Sequence, residues 1–344
     1  MDTWSHKLVE PSALRPFAAA DGPPGLSEQC LALLAQQRTA WARLAQGVRS
    51  LEAVESRTVD LHAWPVTAQF NPGRAASSLA KVDAATIARR PCFLCPSNSP
   101  PEQVGLRAGA FILLANPAPI VAGHMTVVHE HHAPQALEPH LDAMLQLARD
   151  LGRGWTLFYN GPACGASAPD HMHFQAAFAG QTPIERCLGH GTRLAESARP
   201  GGTRILLMAD AAASQCTRCV FVIRGGAAAS VEAAIRALLT ELPRAEGAGE
   251  PLLNVLCRWD GGEWVAVVFP RAAHRPRCYF AEGGEQLLLS PGVMDMAGLL
   301  ITVRPEDFQR ADRGTLAAVY REVTLEPATC RAALARLQER DTPP

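Results

Sequence analysis

Residues His171 to Gln175 read His-Met-His-Phe-Gln, and this alternation restricts the fold more than any other feature of the 344-residue chain. In an extended strand successive side chains point to opposite faces, so His171, His173 and Gln175 would share one surface while Met172 and Phe174 pack on the other. Such a strand has to lie on a core, and its polar face has to border solvent or a ligand. The stretch that feeds it, from Asn160 through Gly165 to Ser167, is made of small residues whose backbone N–H groups can approach an anion. An imidazole can attack phosphorus, and a neighbouring amide can donate to a non-bridging oxygen without changing charge. Two histidines so spaced also suit a hydrogen-bonding pair or a metal pair; the whole stretch, with its upstream partners, points to catalysis.

The remaining pattern is that of a folded α+β protein. Phe111 to Ala115 and His124 to Val128 read as core strands joined through Asn116-Pro117-Ala118-Pro119, Ala133 to Leu151 as a helix, and Trp155 to Tyr159 as the strand that delivers the reactive loop. From about Gln181 the order restarts: strands over Arg204 to Ala209 and Cys219 to Arg224, a helix over Ser230 to Leu242, and a hairpin over Leu252 to Pro270. A helix over Leu26 to Leu51, capped by Ser27, precedes both halves, and helices over Thr315 to Glu322 and Pro327 to Arg340 close the chain. His129, His131 and His140 read as solvated, and His124 as a hydrogen-bonded histidine in the sheet.

Hydrophobic residues make up 48% of the chain, enough for a sizeable core, and 32 basic against 33 acidic residues leave no general attraction to nucleic acid or membrane. An anionic ligand must then be held by local cations. The N-terminus lacks an apolar signal segment and no run is long enough to span a bilayer, so a cytoplasmic protein is expected. Cys92-Phe-Leu-Cys95 and Cys216-Thr-Arg-Cys219 are spaced for metal binding or carry free thiols, and a closed zinc site on the first pair needs two further ligands from distant sequence. Asn71, Arg74 and Lys81, in a segment with Gly73, Ser77 and Ser78, are candidate phosphate contacts or members of an ordinary polar loop. Arg271, His274 and Arg275 are a third candidate cluster, or a solvated basic turn.

The sequence Ala166-Ser167-x-x-x-His171-Met172-His173-Phe174-Gln175-Ala176, with the Cys-x-x-Cys and Gln69-x-Asn71-x-Gly73-Arg74 segments, resembles the nucleotidyl-transferring branch of the histidine-triad superfamily. That branch includes galactose-1-phosphate uridylyltransferase, diadenosine tetraphosphate phosphorylase and the GDP-hexose phosphorylases, the last being the nearest likeness. Asp170 is an extra residue relative to the uridylyltransferase pattern. The resemblance covers residues 69 to 176 well and the second half loosely. It implies histidine-triad-like antiparallel sheets with helices packed on them, in two tandem modules of which the second is degenerate: 1–60 an N-terminal helical segment, 61–185 the catalytic module, 186–344 the second copy.

It further implies that His173 is the nucleophile and that Gln175 donates to the α-phosphate. Asn160, Gly165 and Ser167 would hold phosphate oxygens. A structural Zn2+ would sit on Cys92, Cys95, His132 and His171, with His131 the alternative to its neighbour. The expected substrates are a nucleotide or nucleotide-sugar, GDP-hexose by resemblance alone, or a dinucleoside polyphosphate, with inorganic phosphate or a sugar phosphate as acceptor; a homodimer is left open. A nucleotide hydrolase, a non-catalytic zinc-containing nucleotide-binding protein, and a redox or metal-handling protein using both Cys-x-x-Cys pairs are the rivals.

Overall fold

A computed structural model describes residues 4–18, 25–74 and 84–341. Ten strands form one antiparallel sheet. From edge to edge its order is β3 (Gly105–Ala108), β4 (Phe111–Ala115), β5 (Met125–His129), β7 (His173–Phe178), β6 (Trp155–Asn160), β11 (Leu253–Trp259), β12 (Trp264–Pro270), β10 (Cys219–Gly225), β9 (Arg204–Ala209) and β8 (Thr192–Ala198). Each half follows the same path. Three strands meander inward, a helix crosses one face, the next strand lands at the centre, and the last returns to fill the gap. The crossing helices are Leu141–Leu151 and Ala228–Glu241, and the halves join where β6 and β11 pair, Asn254 opposite Asn160. The expected α+β class with two tandem modules is therefore the one observed.

The two faces of this sheet are filled differently. On one, Leu157, Tyr159, Phe174, Ala176, Val255 and Val268 are buried with Leu141, Met144, Leu145, Val231, Ile235 and Leu238 of the crossing helices. Each of the larger aliphatic and Phe side chains stabilises the packing by about 1.5–3 kcal/mol, which fixes the strand register because a one-residue slip would turn the whole set outward. On the opposite face the second half presents Val265, Val267 and Phe269. These are covered by a small sheet of β1 (Glu55–Val59), β2 (Val66–Phe70) and β13 (Leu299–Thr302) and by a helix at Arg313–Val323 that contributes Leu316 and Tyr320. Over the first half that same face carries His173 and Gln175; Trp4, Cys92, Leu94 and Ala168 cover Ile112, Leu114 and Val128 beside them, and a cavity remains in front of Gln175. The second copy is degenerate for a visible reason: apolar side chains stand on its returning strand where the first copy has imidazole and amide.

Several expectations shift. The helix over Leu26 to Leu51 divides into Leu26–Ala40 and Ala42–Glu52, because Trp41 is extended and buries its ring. Ser27 is not a cap; its hydroxyl accepts from Trp155 Nε1 at 2.9 Å, and Gly25 stands at the helix start. The segment to residue 60 is not wholly helical, since it ends in β1. The helix expected from Ala133 starts at Leu141 after a short turn over Glu138–His140, as Pro134 and Pro139 disfavour helix before them. Among the described residues no helix is long and apolar enough to cross a membrane.

Candidate active site

A cavity of about 670 Å³ opens on the Gln175 face of the first half. His173 and Gln175 project into it from β7, with Asn160 from the end of β6 and Gly165 and Ser167 from the loop that follows. His171 does not share their face. It precedes β7, and its ring turns toward Cys92 and Cys95, so the three-residue alternation reduces to two.

His173 is held by its neighbours at both backbone and ring. Its N–H donates to Gln135 Oε1 at 2.8 Å, and Gln135 Nε2 donates to the carbonyls of His173 and Asn160 at 3.0 and 2.9 Å. The extended residues before the helix at Leu141–Leu151 are what bring Gln135 here. The ring Nδ1 lies 2.8 Å from the His171 carbonyl, which can only accept, so Nδ1 carries the proton and Nε2 keeps its lone pair. Burial lowers the imidazole pKa, against the His171 carbonyl and Asp170, which raise it. The ring is neutral near pH 7, as a nucleophile requires.

Gln175 is oriented in the same manner. The N–H of Ile120 donates to His124 Nδ1 at 3.4 Å, leaving Nε2–H of His124 to donate to Gln175 Oε1 at 2.8 Å. The carboxamide oxygen is thereby occupied and the NH2 group is the part left for a ligand. Burial, helped by the Arg74 charge, pushes His124 down to about 3, so it stays neutral and keeps this donor pattern. Asn160 repeats the arrangement: its Oδ1 accepts from Asn254 Nδ2 and from the N–H of Val293, both at 2.8 Å, which leaves its NH2 free. Gly165 has φ +95°, and a Cβ there would come within 3.0 Å of Gly292 Cα, so this loop position is restricted to glycine.

Behind the cavity Cys92, Cys95, His132 and His171 place their ligand atoms within 4.8 Å of one another. Cys92 Sγ is 3.4 Å from His171 Nδ1, and Cys95 Sγ is 3.4 Å from His132 Nδ1 and 3.6 Å from His171 Nδ1. Tetrahedral zinc with Zn–S of about 2.3 Å and Zn–N of about 2.0–2.1 Å separates sulfur from nitrogen by roughly 3.6 Å, so these four residues could hold the ion. His171 Nε2–H donates to the His129 carbonyl at 2.8 Å, which aims Nδ1 at the sulfurs. The cluster includes His132 and not His131, whose N–H donates to His129 Nδ1. Burial holds Cys92 up at about 12, so its thiol has no anionic character without a cation nearby.

Arg74, His274 and Arg275 line the cavity, and Asn71 does not: it is buried at the end of β2, donating its amide toward Gln69 Oε1 at 3.5 Å. Lys81, Ser77 and Ser78 lie outside the described residues. Arg271 is not a ligand group. It is buried, and every nitrogen of its guanidinium is engaged: Nε with the Val323 carbonyl, Nη1 with Asn254 Oδ1 and the Pro291 carbonyl, Nη2 with the carbonyls of Ala273 and His274. It clamps the 273–274 turn and the 291 turn to Asn254 and through it to Asn160. Gln135, Asn254 and Ser290 escaped the sequence because they carry no motif. Arg90 did as well; it donates to Asp170, the extra residue of the motif, and to the Ser167 carbonyl, both at 3.1 Å, which gives Asp170 a place beside the loop. Cys219 of the second Cys-x-x-Cys opens β10, its Sγ 3.5 Å from Cys330 Sγ.

Residues 33–178 match the family model described as a domain of unknown function, DUF4922. No curated protein matches the chain. Among solved structures, yeast Ap4A phosphorylase superposes with a TM-score of 0.52 at 16% identity, over 82% of this chain and 93% of that one. Its complex with AMP gives 0.51 at 16% identity, over 84% and 98%, and its complex with Ap4A 0.51 at 15%, over 86% and 97%. The chain has the fold of yeast Ap4A phosphorylase.

Proposed function

We propose that this protein is a nucleotidyl-transferring phosphorylase working by double displacement at an α-phosphorus. His173 Nε2 attacks in line and forms a P–N bond while the bond to the leaving phosphate or sugar phosphate breaks; Nδ1–H stays on the His171 carbonyl and delocalises the charge. In the second step an oxygen of inorganic phosphate, or of a sugar phosphate, attacks the same phosphorus. The P–N bond breaks, the nucleotide leaves with the acceptor attached, and His173 is again neutral. Gln175 and Asn160 donate to non-bridging oxygens in both steps, with Ser167 beside them. An amide cannot relay a proton to or from water, which favours phosphate as acceptor. The observation that carries this function is the pairing of a His173 whose Nε2 is left unprotonated with a Gln175 whose NH2 is left free by His124.

We assign structural Zn2+ to Cys92, Cys95, His132 and His171; the ion's role would be to brace the carbonyl of His171 that orients the nucleophile. Residues 61–185 form the catalytic module and 186–344 its degenerate partner in this scheme. The donor is a nucleotide-sugar, GDP-hexose by motif resemblance, or a dinucleoside polyphosphate, the compound the yeast structure was solved with.

Intact-mass spectrometry tests this. The protein is mixed with GDP-, ADP- and UDP-sugars and dinucleoside polyphosphates without phosphate, beside His173→Ala. An acid-labile nucleotidyl adduct on the unsubstituted protein alone, discharged by phosphate, is expected. No adduct from any donor on a folded, metal-containing protein would overturn the proposal.

A further inference from the structure

The degenerate module supplies the cavity with one cation that the scheme above leaves idle. Arg275 donates through Nε to Ser290 Oγ at 3.0 Å, and its Cζ lies 4.2 Å from the ring centroid of Tyr279, so the guanidinium plane is fixed from the side and from one face. Ser290 Oγ also shares a 3.1 Å hydrogen bond with His274 Nε2. Among the described residues no protein acceptor or carboxylate engages the two terminal nitrogens of Arg275. Of the other arginines at the cavity, Arg90 is paired with Asp170 at 3.1 Å, Arg74 donates through Nη1 to the Ala118 carbonyl at 2.6 Å, and Arg43 is exposed, with no contact that fixes its guanidinium among the described residues; Arg271 is saturated and lies outside the lining.

This group stands next to the phosphate loop and is tied to it. Two residues beyond Ser290, Gly292 packs against Gly165, and the N–H of Val293 donates to Asn160 Oδ1. Arg271 grips the carbonyls of Ala273, His274 and Pro291, so both sides of the Arg275–Ser290 contact are anchored to one buried residue. His274, neutral because burial pushes it down to about 4, adds hydrogen bonding without charge. A pre-positioned guanidinium with two free donors matches a phosphate dianion in shape and sign.

We propose that Arg275, Ser290 and His274 form a single anion subsite that holds the phosphate adjoining the scissile bond in the donor, and then the incoming inorganic phosphate. The inference rests on the nucleotidyl-transfer function of His173. In-line displacement puts the acceptor of the second step where the leaving group stood in the first, so one subsite serves both. It gives the pyrophosphate linkage common to the donors named above a dedicated contact. Nucleoside phosphoramidates and simple nucleotide esters leave without a phosphate and would make no use of it.

The test loads the enzyme by a route that bypasses the subsite. A nucleoside phosphorimidazolide, whose imidazole leaving group has no phosphate, should nucleotidylate the unsubstituted protein and Arg275→Gln at rates within about twofold. Discharge by inorganic phosphate should then require at least about thirtyfold more phosphate in Arg275→Gln, the effect of losing a charge-assisted pair of hydrogen bonds. Slow discharge by water should be unchanged, and Ser290→Ala should shift the phosphate requirement the same way by a smaller factor. Equal phosphate requirements in a folded Arg275→Gln protein overturn the proposal, as does slowed phosphorimidazolide loading with normal discharge. Calorimetric titration of inorganic phosphate into His173→Ala, with and without Arg275→Gln, separates the two levels. Arg275-dependent binding there without any adduct on the unsubstituted protein supports the subsite and rejects covalent transfer.

Discussion

Replacing His124 by leucine isolates the step by which the fold decides what Gln175 can do. Leucine is close to histidine in volume and stays apolar beside Phe158, whose ring centroid is 5.8 Å away, so the main loss is chemical. The 2.8 Å bond to Gln175 Oε1 disappears, and with it the contact that, among the described residues, turns the NH2 group toward the cavity. A buried neutral hydrogen bond contributes about 1–2 kcal/mol, which corresponds to roughly 5- to 30-fold in the rate of adduct formation. Removing the donor itself, as in Gln175→Met, should cost roughly 100-fold, the usual scale for one oxyanion contact. Single-turnover loading of His124→Leu, Gln175→Met and the double variant measures all three. If His124 acts through Gln175, adding His124→Leu to Gln175→Met slows loading by no more than about twofold. The same loss in both backgrounds would refute the reasoning, because His124 would then act on the reaction or on the fold by another path.

The other expectations are simpler. Gly165→Ala forces a positive φ on alanine and a contact with Gly292, so it should destabilise by about 1–3 kcal/mol in denaturant titration and slow loading more than any surface Gly→Ala control. Cys92→Ser should lose about one equivalent of zinc by atomic emission and lower the melting temperature; full retention of metal would dissociate the cluster from zinc. Acid should weaken the fold through His124. Its folded pKa of about 3 lies below the unfolded value near 6.5, so the unfolded chain binds the proton first. The contribution is complete above about pH 6.5 and is lost as pH falls toward 3, at up to about 1.4 kcal/mol per pH unit. Denaturation of His124→Leu between pH 7.5 and 4.5 should show a shallower slope than the unsubstituted protein, and equal slopes would contradict the burial argument.

Motif and periodicity carried the sequence reading a long way. Apolar runs located β4, β6, β9 and β10 to within a residue or so, because these strands are largely buried on both faces, and helical spacing located the helix at Ala228–Glu241, because it buries one regular face. The same regularity failed where a local feature broke it. Trp41 divides one expected helix, Pro139 delays another, and His171 sits just ahead of its strand. The small sheet was not legible at all: β2 pairs in parallel with β13, more than two hundred residues later, and no local signal announces such a partner.

The chemistry of the site divides along the same line. Sequence alone determined that an imidazole, an amide and a Cys-x-x-Cys are present at spacings suited to phosphate and zinc, since those depend on neighbours in the chain. Tertiary structure alone decided which atoms are available. The His171 carbonyl selects the tautomer of His173, His124 selects the face of Gln175, and Asn254 with Val293 selects that of Asn160. It also removed Arg271 from the cavity and left Arg275, four residues on, with no acceptor among the described residues at its two terminal nitrogens. Composition treats the two arginines alike. Hydrogen-bond partners distinguish them, because a donor's function depends on which acceptors the fold has already brought within about 3 Å.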